Sequence, residues 1–373
     1  MESGNRECEP AVDEIEVSLF GPGYGEAVAV HLGNNQWILV DSCIEPGSRE
    51  PASLRYMRSL GVDVSTAVKL VVATHWHDDH IRGVSDLFRE CTSARFVVSS
   101  ALQTEDFLTL LALYDQPVMR DDSGLDEFAS IFGNLKQKNN TSRGKLPGFA
   151  LADRVLFRTA VALPQQIVFA QVFSLSPSDA ALLQAQLAFS SLLPARGTPK
   201  RRIASPSRNE AAVALWFQIG GRNLLLGADV ERSGDPKLGW NAILDDSTVV
   251  AGRADAFKVA HYGAESGHEP RVWTELLCPD PVAILSPFRS GGTFLPSPTD
   301  ADRIRSLTPN AYITAPSRRK QHKWGNKVVK DMVRETTRTI QNADYGWGHV
   351  RIRSRVSDGN QWEVELFGDA MPL

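Results

Sequence analysis

Residues 71–83, VVATHWHDDHIRG, place three histidines and two aspartates within six positions, directly after an apolar run. The run is typical of a buried strand, so the polar residues leave one strand end together. Neutral imidazole nitrogens and carboxylate oxygens suit borderline divalent metals such as zinc or manganese. Without a metal, so many buried polar groups would be costly. The spacing predicts a metal site whose ligands include His75, His77, Asp79 and His80.

The elements around this motif predict a mixed α/β fold. Two strand-like segments, 26–32 and 36–42, flank a Gly-Asn-Asn turn and indicate a β-hairpin. Residues 48–61 have a helical pattern, and 68–74 form a continuous apolar run typical of a strand buried on both faces. The second half repeats the strand pattern at 211–219, 224–229, 256–261, 281–287 and 311–316. Two sheets with helices outside fit this order.

The chain organisation is expected to be simple. A chain of 373 residues, of which 42% are hydrophobic and 23% charged, can bury a sizeable core. We expect a single domain over residues 1–373, with a helical and loop insertion at about 101–205 that helps to wall the site. Within it, residues 176–193 have the pattern of an amphipathic helix. A C-terminal β-hairpin is expected at about 349–367, with its turn at 358–360.

Composition narrows the cellular setting. The first twenty residues have no basic region followed by an apolar stretch, and no run of about 18 apolar residues occurs, so neither a signal peptide nor a membrane span is predicted. A cytoplasmic location is therefore expected. The four cysteines form no CxxC pair, so we expect reduced thiols rather than disulfides or a thiolate zinc site. With a net charge of −4, a nucleic-acid partner would have to be bound by local basic patches.

The motif at 75–80, HWHDDH, matches the HxHxDH signature of the metallo-β-lactamase superfamily, and the other markers of that family follow in order. Asp41 follows the strand WILV, Asp229 follows LLLGA, and His261 follows FKVA. The resemblance extends from about Gly21 to the final hairpin. It implies a four-layer αββα sandwich with metal ions at the strand ends.

The resemblance also implies a role for each of these residues. Asp229 would bridge two ions, and His261 would complete a second ion site with Asp79 and His80. Asp41 would act from behind the ligands by orienting one of them, which is a common role for carboxylates around metal sites. The implied cofactor is Zn²⁺ or Mn²⁺, with one or two ions per chain.

The chain is more particularly similar to the soluble hydrolase domain of the competence DNA-uptake channel ComEC and its stand-alone relatives. The similar stretches are SRNEAAVALWFQIGGRNLLLGADVE, FKVAHYGAESG and LPSPTDADRIRSLTPNAYIT. The sequence departs from that pattern twice. No histidine occurs between His80 and His261, so the third imidazole of the first ion site is missing and Asn209 is its nearest positional replacement. Tyr262 stands where a second histidine is usual.

Two further residues have alternative interpretations. Asn209 either supplies an amide oxygen to metal or substrate, or turns the chain before a strand. His268 either reaches the metal cleft or faces solvent. The candidate catalytic residues are therefore Asp79, Asp229, Asn209, Tyr262 and His268.

Hydrolysis is the expected reaction, because paired ions acidify water and stabilise both the attacking and the leaving oxygen. The fold alone does not name the bond that is cleaved. Two basic segments, 199–208 and 316–330, favour a phosphodiesterase or nuclease, and Trp324 in the second offers a stacking surface for a base. Either segment alone is equally well explained as a solvated charged loop.

Two other classes of function remain open. The chain could be a hydrolase of a small-molecule ester, lactone or cyclic nucleotide. It could also be a weakly catalytic or partner-triggered subunit of a bacterial defence system, a setting in which stand-alone relatives are met. The sequence identifies no protein partner and no oligomeric state.

Overall fold

The strands of this protein form two large sheets and one short ribbon. The computed structural model describes residues 8–23, 25–103, 105–114, 127–131, 133, 147–163, 166–193, 209–290, 292–317, 332, 346–356 and 361–373. In these parts of the chain, two eight-stranded sheets and a two-stranded ribbon are present. Both large sheets contain parallel strand pairs as well as antiparallel ones.

The first sheet is built from both ends of the chain. Its strands are β1 (Glu14–Gly21), β2 (Ala27–His31), β3 (Trp37–Val40), β4 (Val68–Ala73), β5 (Arg95–Ser99), β6 (Gly148–Ala150), β16 (Gly348–Arg355) and β17 (Glu363–Gly368). They are arranged in the order β17-β16-β1-β2-β3-β4-β5-β6. Strands β3 to β6 run parallel, so the carboxyl ends of β3 and β4 lie at the same edge.

The second sheet comes from the middle and later parts of the chain. Its strands are β7 (Arg154–Ala162), β8 (Ile167–Ser174), β9 (Leu215–Ile219), β10 (Arg222–Leu226), β11 (Ala254–Lys258), β12 (Leu277–Leu285), β15 (Ala311–Ile313) and β18 (Met371–Pro372). Their order is β18-β15-β12-β11-β10-β9-β8-β7, while β13 (Phe288–Ser290) and β14 (Thr293–Leu295) form the ribbon. Strands β10 and β11 are parallel, so their carboxyl ends also meet at one edge.

Helices connect the strands of both sheets. They are α1 (Ala52–Ser59), α2 (Val64–Ala67), α3 (Asp78–Ile81), α4 (Val84–Glu90), α5 (Glu105–Tyr114), α6 (Asp179–Leu192), α7 (Gly239–Asp246) and α8 (Pro298–Leu307). Shorter helical turns span Ser100–Gln103, Ala260–Gly263, Glu265–Gly267 and Val272–Leu276. In the described part of the chain, none of the helices combines the length and apolar character that crossing a bilayer requires.

The space between the two sheets is filled by aliphatic side chains and Phe217 from their facing strands. Ile38 and Leu70 of the first sheet belong to the same apolar cluster as Phe217 and Leu226 of the second. All four are buried, because successive side chains of a strand alternate between its two faces. Packing of the two inner faces holds the sheets together.

Separate apolar clusters lie on the outer faces of the sheets, under the helices. Met57 of α1 packs in one cluster with Val71 of β4, and Trp240 of α7 packs in another with Phe257 of β11. Helices therefore cover each sheet on the side away from the other sheet. The predicted αββα architecture is confirmed, and the continuous apolar run of β4 is explained by burial on both of its faces.

The middle of the chain differs from the sequence-based interpretation. Strands β6, β7 and β8, which fall in the predicted helical and loop insertion at 101–205, extend both sheets. Strands β7 and β8 lie at an edge of the second sheet, where Ile167 and Phe169 are exposed. Their apolar residues on both faces gave no clear alternation to recognise. The helix predicted at 176–193 is confirmed as α6, and Ser178 caps it by accepting a hydrogen bond from Ala181 N at 3.2 Å.

Two paired strands lie where the C-terminal hairpin was expected. Strands β16 and β17 pair in antiparallel register from Gly348 opposite Gly368 to Arg353 opposite Glu363. The predicted turn at 358–360 lies outside the described residues. Because β16 also pairs with β1, the end of the chain completes the sheet that its beginning starts.

Candidate metal centre

The predicted ligands lie where strand ends from the two sheets approach each other. His75 follows β4, and Asp229 follows β10 of the other sheet. The Nε2 atom of His75 lies 3.6 Å from Asp229 Oδ2, and His80 Nε2 lies 3.3 Å from Asp229 Oδ1. The candidate ligand atoms of these three buried residues all lie within 4.8 Å of one another. One carboxylate from the second sheet therefore faces two imidazoles from the first.

Asp41 and Thr74 orient the two imidazoles from behind. Asp41, in a left-handed conformation with φ of 59°, accepts hydrogen bonds from Thr74 N at 2.7 Å and Thr74 Oγ1 at 2.8 Å. Its Oδ2 also lies 2.8 Å from His80 Nδ1. This contact matches the orienting role expected for Asp41. Sequence reasoning missed Thr74, whose position directly before His75 was the available signal.

The same network fixes the tautomer of His75. Thr74 Oγ1 donates its only proton to Asp41, and His75 Nδ1 lies 2.9 Å from the same hydroxyl oxygen. His75 Nδ1 must therefore be the donor in that contact. The lone pair of the neutral His75 ring is then on Nε2, which points at Asp229. This is the form of histidine that binds a metal.

Several polar atoms here are buried without a hydrogen bond. Among the described residues, His75 Nε2, His77 Nε2 and Asn209 Oδ1 have no hydrogen-bond partner. The rings of His75 and His77 are 4.8 Å apart between centroids. Buried polar atoms are nearly always satisfied in native proteins, so atoms such as these require an explanation. Two imidazole nitrogens beside a carboxylate are a donor set that fits a divalent metal ion.

Burial and neighbouring charges together determine the pKa values of the residues at the site. Burial lowers the pKa of His75 well below its ordinary value and also lowers the pKa of His77, so both rings are neutral near pH 7. For His80, burial acts in the same direction, but the carboxylates of Asp229 and Asp41 outweigh it and raise the pKa. Burial raises the pKa of Asp229, yet the nearby His80 lowers it further and the carboxylate stays ionised.

Tyr262 enters the site from the second sheet. Its hydroxyl donates to Asp79 Oδ2 at 2.8 Å and lies 3.0 Å from His80 Nε2. Beneath it, the buried side chain of Lys258 forms an ion pair with Glu26 and donates to Ala228 O at 3.3 Å. Sequence reasoning singled out Tyr262 but missed the Lys258–Glu26 pair, which joins residues 232 positions apart.

His261 lies at the rim of the site. Its Nδ1 is 3.0 Å from Glu231 Oε1 and 2.8 Å from Ser266 Oγ. Burial lowers the pKa of His261, but the hydrogen bond to Glu231 more than offsets this and the net shift is upward. Sequence reasoning missed Glu231, although it stands two residues after Asp229. Its carboxylate orients His261 as Asp41 orients His80.

The two weaker candidates differ in position. Asn209 O accepts from Ala212 N at 2.9 Å, and Val213 N donates to Thr74 O at 3.1 Å, so the turn at Asn209 adjoins the strand end that precedes His75. His268 is half-buried, and within the described residues its side chain makes no hydrogen bond to a predicted ligand. Burial lowers its pKa. The structure brings Asn209 to the site edge and leaves His268 without a ligand contact.

A cleft of about 790 Å³ opens beside the site. Its lining includes Asn209 and Glu231, which adjoin the metal centre. It also includes Ser178 at the start of α6. Arg232 and Lys237 add positive charge to a lining that also contains several carboxylates. Its size falls in the range of small-molecule sites.

Comparison with known proteins supports the family expectation. The family model described as metallo-beta-lactamase superfamily matches residues 20–103. This range contains Asp41 and the whole HWHDDH motif. Members of that family are metal-dependent hydrolases and usually bind zinc or other divalent metals. No curated protein matches the chain in sequence. A metallo-beta-lactamase superfamily domain is thus supported.

Solved structures give only distant likenesses. The chain is similar to the metallo-beta-lactamase fold protein YhfI from Bacillus subtilis, with 12% identity over 66% of this chain and 70% of that one, at a TM-score of 0.32. It is also similar to Zn²⁺-bound PqqB from Methylobacterium extorquens, with 14% identity over 62% of this chain and 58% of that one, at a TM-score of 0.30. A third similar structure is MEM-A1, a subclass B3 metallo-beta-lactamase from a soil metagenome library, with 19% identity over 73% of this chain and 87% of that one, at a TM-score of 0.33. Likenesses at these TM-scores do not establish an activity for this chain.

Proposed function

We propose that this protein is a metal-dependent hydrolase that holds its ion with His75, His77 and Asp229. One observation supports this most directly. The Nε2 atoms of both histidines are buried without a hydrogen-bond partner among the described residues, and His75 Nε2 faces the ionised Asp229 at 3.6 Å. Leaving such groups unsatisfied costs about 1–3 kcal/mol each, and a bound cation would remove that cost.

The chain's own residues have separate tasks around the ion. When bound, a divalent ion supplies Lewis acidity, which lowers the pKa of water from about 15.7 towards about 7. Asp41 and Thr74 hold the imidazoles in place through the contacts described above. Asp79, half-buried and fixed by the Tyr262 hydroxyl, is positioned to accept a proton from an attacking water.

We propose a phosphodiester, in nucleic acid, as the substrate. The support comes from the similarity to the ComEC hydrolase domain and from the basic segments at 199–208 and 316–330. Of these segments the structure describes only residues 316 and 317. Phosphate contacts by Lys and Arg would give affinity for any nucleic-acid sequence, with a strong dependence on salt.

A small-molecule ester, lactone or cyclic nucleotide is the second candidate. The cleft beside the site supports it, because Asp179, Glu210 and Glu231 line the cleft together with Arg232 and Lys237. Such a mixed lining does not favour a long polyanion over a compact ligand. The two candidates therefore differ in where the substrate would lie, along basic segments or inside the cleft.

A substrate panel on metal-stripped and reloaded protein tests the proposal. With Zn²⁺ or Mn²⁺ we expect cleavage of single- or double-stranded DNA or RNA that stops when EDTA is added. Asp79→Asn should lower kcat by about 10²-fold or more, since general-base groups contribute that much. Asp78→Asn is the matched control, because the exposed neighbouring carboxylate should leave kcat unchanged. Activity confined to lactones, thioesters or cyclic nucleotides would favour the second candidate.

A second variant tests the substrate class. Replacing Arg318, Arg319 and Lys320 together with Ala should raise KM for nucleic acid and flatten its salt dependence by up to about three units of slope. Hydrolysis of a small chromogenic phosphodiester should remain unchanged. Indifference of this variant on every substrate would contradict a nucleic-acid substrate and leave metal-dependent hydrolysis intact.

A further inference from the structure

The hydroxyl of Tyr262 lies between two of the residues that were expected to bind a second ion. Asp79 Oδ2 is 2.8 Å from the hydroxyl oxygen, and His80 Nε2 is 3.0 Å from it. Both atoms are thus engaged by one oxygen of the protein itself. Among the described residues, the grouping of candidate ligand atoms within 4.8 Å contains His75, His80 and Asp229, while His77, Asp79 and His261 lie outside it.

The direction of the His80 contact decides whether an ion has room. The nitrogen of an imidazole has a single lone pair, which lies in the ring plane along one direction. Since His80 Nδ1 faces Asp41, only Nε2 remains for a metal. The Tyr262 oxygen already lies on that side at hydrogen-bond distance. A zinc ion about 2.0–2.1 Å from the same nitrogen would overlap the hydroxyl.

The Tyr262 side chain is held firmly in this position. It is buried, and the centroid of its ring lies 5.2 Å from the centroid of the Phe288 ring. The same centroid lies 5.7 Å from Lys258 Nζ. Its backbone and that of His261 are both left-handed, with φ of 53° and 48°. Such conformations persist only where the surroundings enforce them. Moving the hydroxyl aside would require the ring to leave its contacts with Phe288 and Lys258.

We propose that this chain binds one metal ion, at His75, His77 and Asp229, and that the Tyr262 hydroxyl takes the place of a second ion. The hydroxyl holds Asp79 by a hydrogen bond where an ion would have held it by coordination. This inference rests on the proposed function, because it assumes that the first site is loaded. It makes Tyr262 a positioning residue for Asp79.

Metal stoichiometry tests the inference without reference to activity. Metal-stripped full-length protein is titrated with Zn²⁺ by calorimetry, and the ion content is measured after gel filtration. The wild-type protein should bind one ion per chain. Tyr262→Phe and Tyr262→His should each bind two, because Asp79 and His80 become free. Tyr56→Phe is the matched control, since it removes another buried tyrosine hydroxyl, bonded to Glu16 at 2.7 Å, and should still bind one.

The possible ion counts distinguish the single-ion inference from the proposed function on which it rests. Two ions in the wild-type protein would overturn the inference and leave the proposed function standing. One ion in the wild type and in both Tyr262 variants would also overturn it, because the hydroxyl would not be what excludes the second ion. No ion in the wild type would overturn the proposed function itself. Loading with Mn²⁺ gives an independent measurement, since a spin-coupled pair should appear in the resonance spectra of both Tyr262 variants and be absent from those of the wild type and Tyr56→Phe.

Discussion

Two buried polar clusters of this protein are equally hidden from solvent but differ in how completely they are satisfied. One is the metal centre, where His75 Nε2 and His77 Nε2 have no partner among the described residues. The other surrounds Glu16 of β1. There Glu16 Oε1 accepts from Ser18 Oγ at 2.6 Å and from Tyr56 OH at 2.7 Å, and Oε2 accepts from Arg353 Nε at 2.7 Å.

Whether the buried polar atoms have hydrogen-bond partners distinguishes a structural polar cluster from a binding site. Glu16 is fully buried, as are His75 and His80, so burial does not distinguish them. In the Glu16 cluster the charges pair with each other, because Arg353 neutralises Glu16 within the protein. In the metal centre His75 Nε2 faces the carboxylate of Asp229, and neither it nor His77 Nε2 has a hydrogen-bond partner in the described part of the chain. Buried polar atoms that lie close together and lack hydrogen-bond partners therefore mark the place where a ligand is expected to bind.

The largest expected effect is on activity at the unsatisfied cluster. His75→Ala combined with His77→Ala should abolish metal binding and lower kcat/KM by about 10³-fold, since metal polarisation contributes several kcal/mol. The unfolding free energy of the metal-free protein should change by less than about 2 kcal/mol, because the hydrogen bond from His75 Nδ1 to Thr74 Oγ1 is lost while two buried nitrogens that lack a partner are removed. Metal analysis and urea unfolding check both parts. A large loss of metal-free stability would show that this cluster is structural after all.

The Glu16 cluster should respond in the opposite way. Glu16→Gln leaves the buried Arg353 with only the more distant Glu14, 3.9 Å away, as a charge partner, and breaking a buried pair costs about 3–5 kcal/mol of unfolding free energy. Urea unfolding measures that loss. Metal content and kcat of the folded fraction should equal those of the wild type. If this variant lost metal while remaining stable, the division between the two clusters would be wrong.

A histidine beside the Glu16 cluster should make stability depend on pH. Burial lowers the pKa of His31 from 6.5 to about 4, and its Nδ1 lies 2.7 Å from Glu14 O. As pH falls from 6.5 to about 4, the unfolded chain takes up a proton that the folded protein refuses, so stability falls by about 3 kcal/mol. Unfolding of the wild type and of His31→Gln at several pH values isolates this contribution. Identical pH profiles would contradict it.

The smallest effect concerns the residue that orients the metal ligands. Asp41→Asn keeps the size of the side chain but weakens its hold on Thr74 and His80, and loss of such orienting contacts typically costs about 10–100-fold in metal affinity. Competition with a chelator measures the change. Asp86→Asn, at an exposed surface ion pair, serves as the control and should leave the affinity unaltered. An unchanged affinity in Asp41→Asn would mean that Asp41 only stabilises the strand end.

The fold was predictable from the sequence because it depends on local patterns, and the ligand motif is a prediction of the same local kind. Apolar runs such as that of β4 identify buried strands, and the spacing from His75 to His80 identifies a metal motif without knowledge of the rest. The contact of Tyr262 with Asp79 could not be predicted in this way. It depends on two consecutive left-handed residues and on the packing of two sheets, neither of which a local pattern specifies.

Edge strands were also beyond the sequence pattern. Ile167 and Phe169 of β8 are exposed while Val168 and Ala170 are buried, so apolar residues occupy both faces and no alternation shows. Glu231 was missed for a different reason, because its partner His261 lies thirty residues later on another strand end. Residues that act through contacts between distant segments need the assembled sandwich to be recognised.

The buried pair of Lys258 and Glu26 has a consequence for how the chain is made. Glu26 precedes Lys258 by 232 residues, and synthesis at about 5–20 residues per second separates their appearance by roughly 10–50 s. During that interval Glu26 lacks the ammonium group that pairs with it in the finished protein, and burial raises the pKa of its carboxyl group. The first sheet is also incomplete until then, because β16 and β17 come from the end of the chain. A ribosome-bound N-terminal half carries the HWHDDH motif but has no closed site in which to use it.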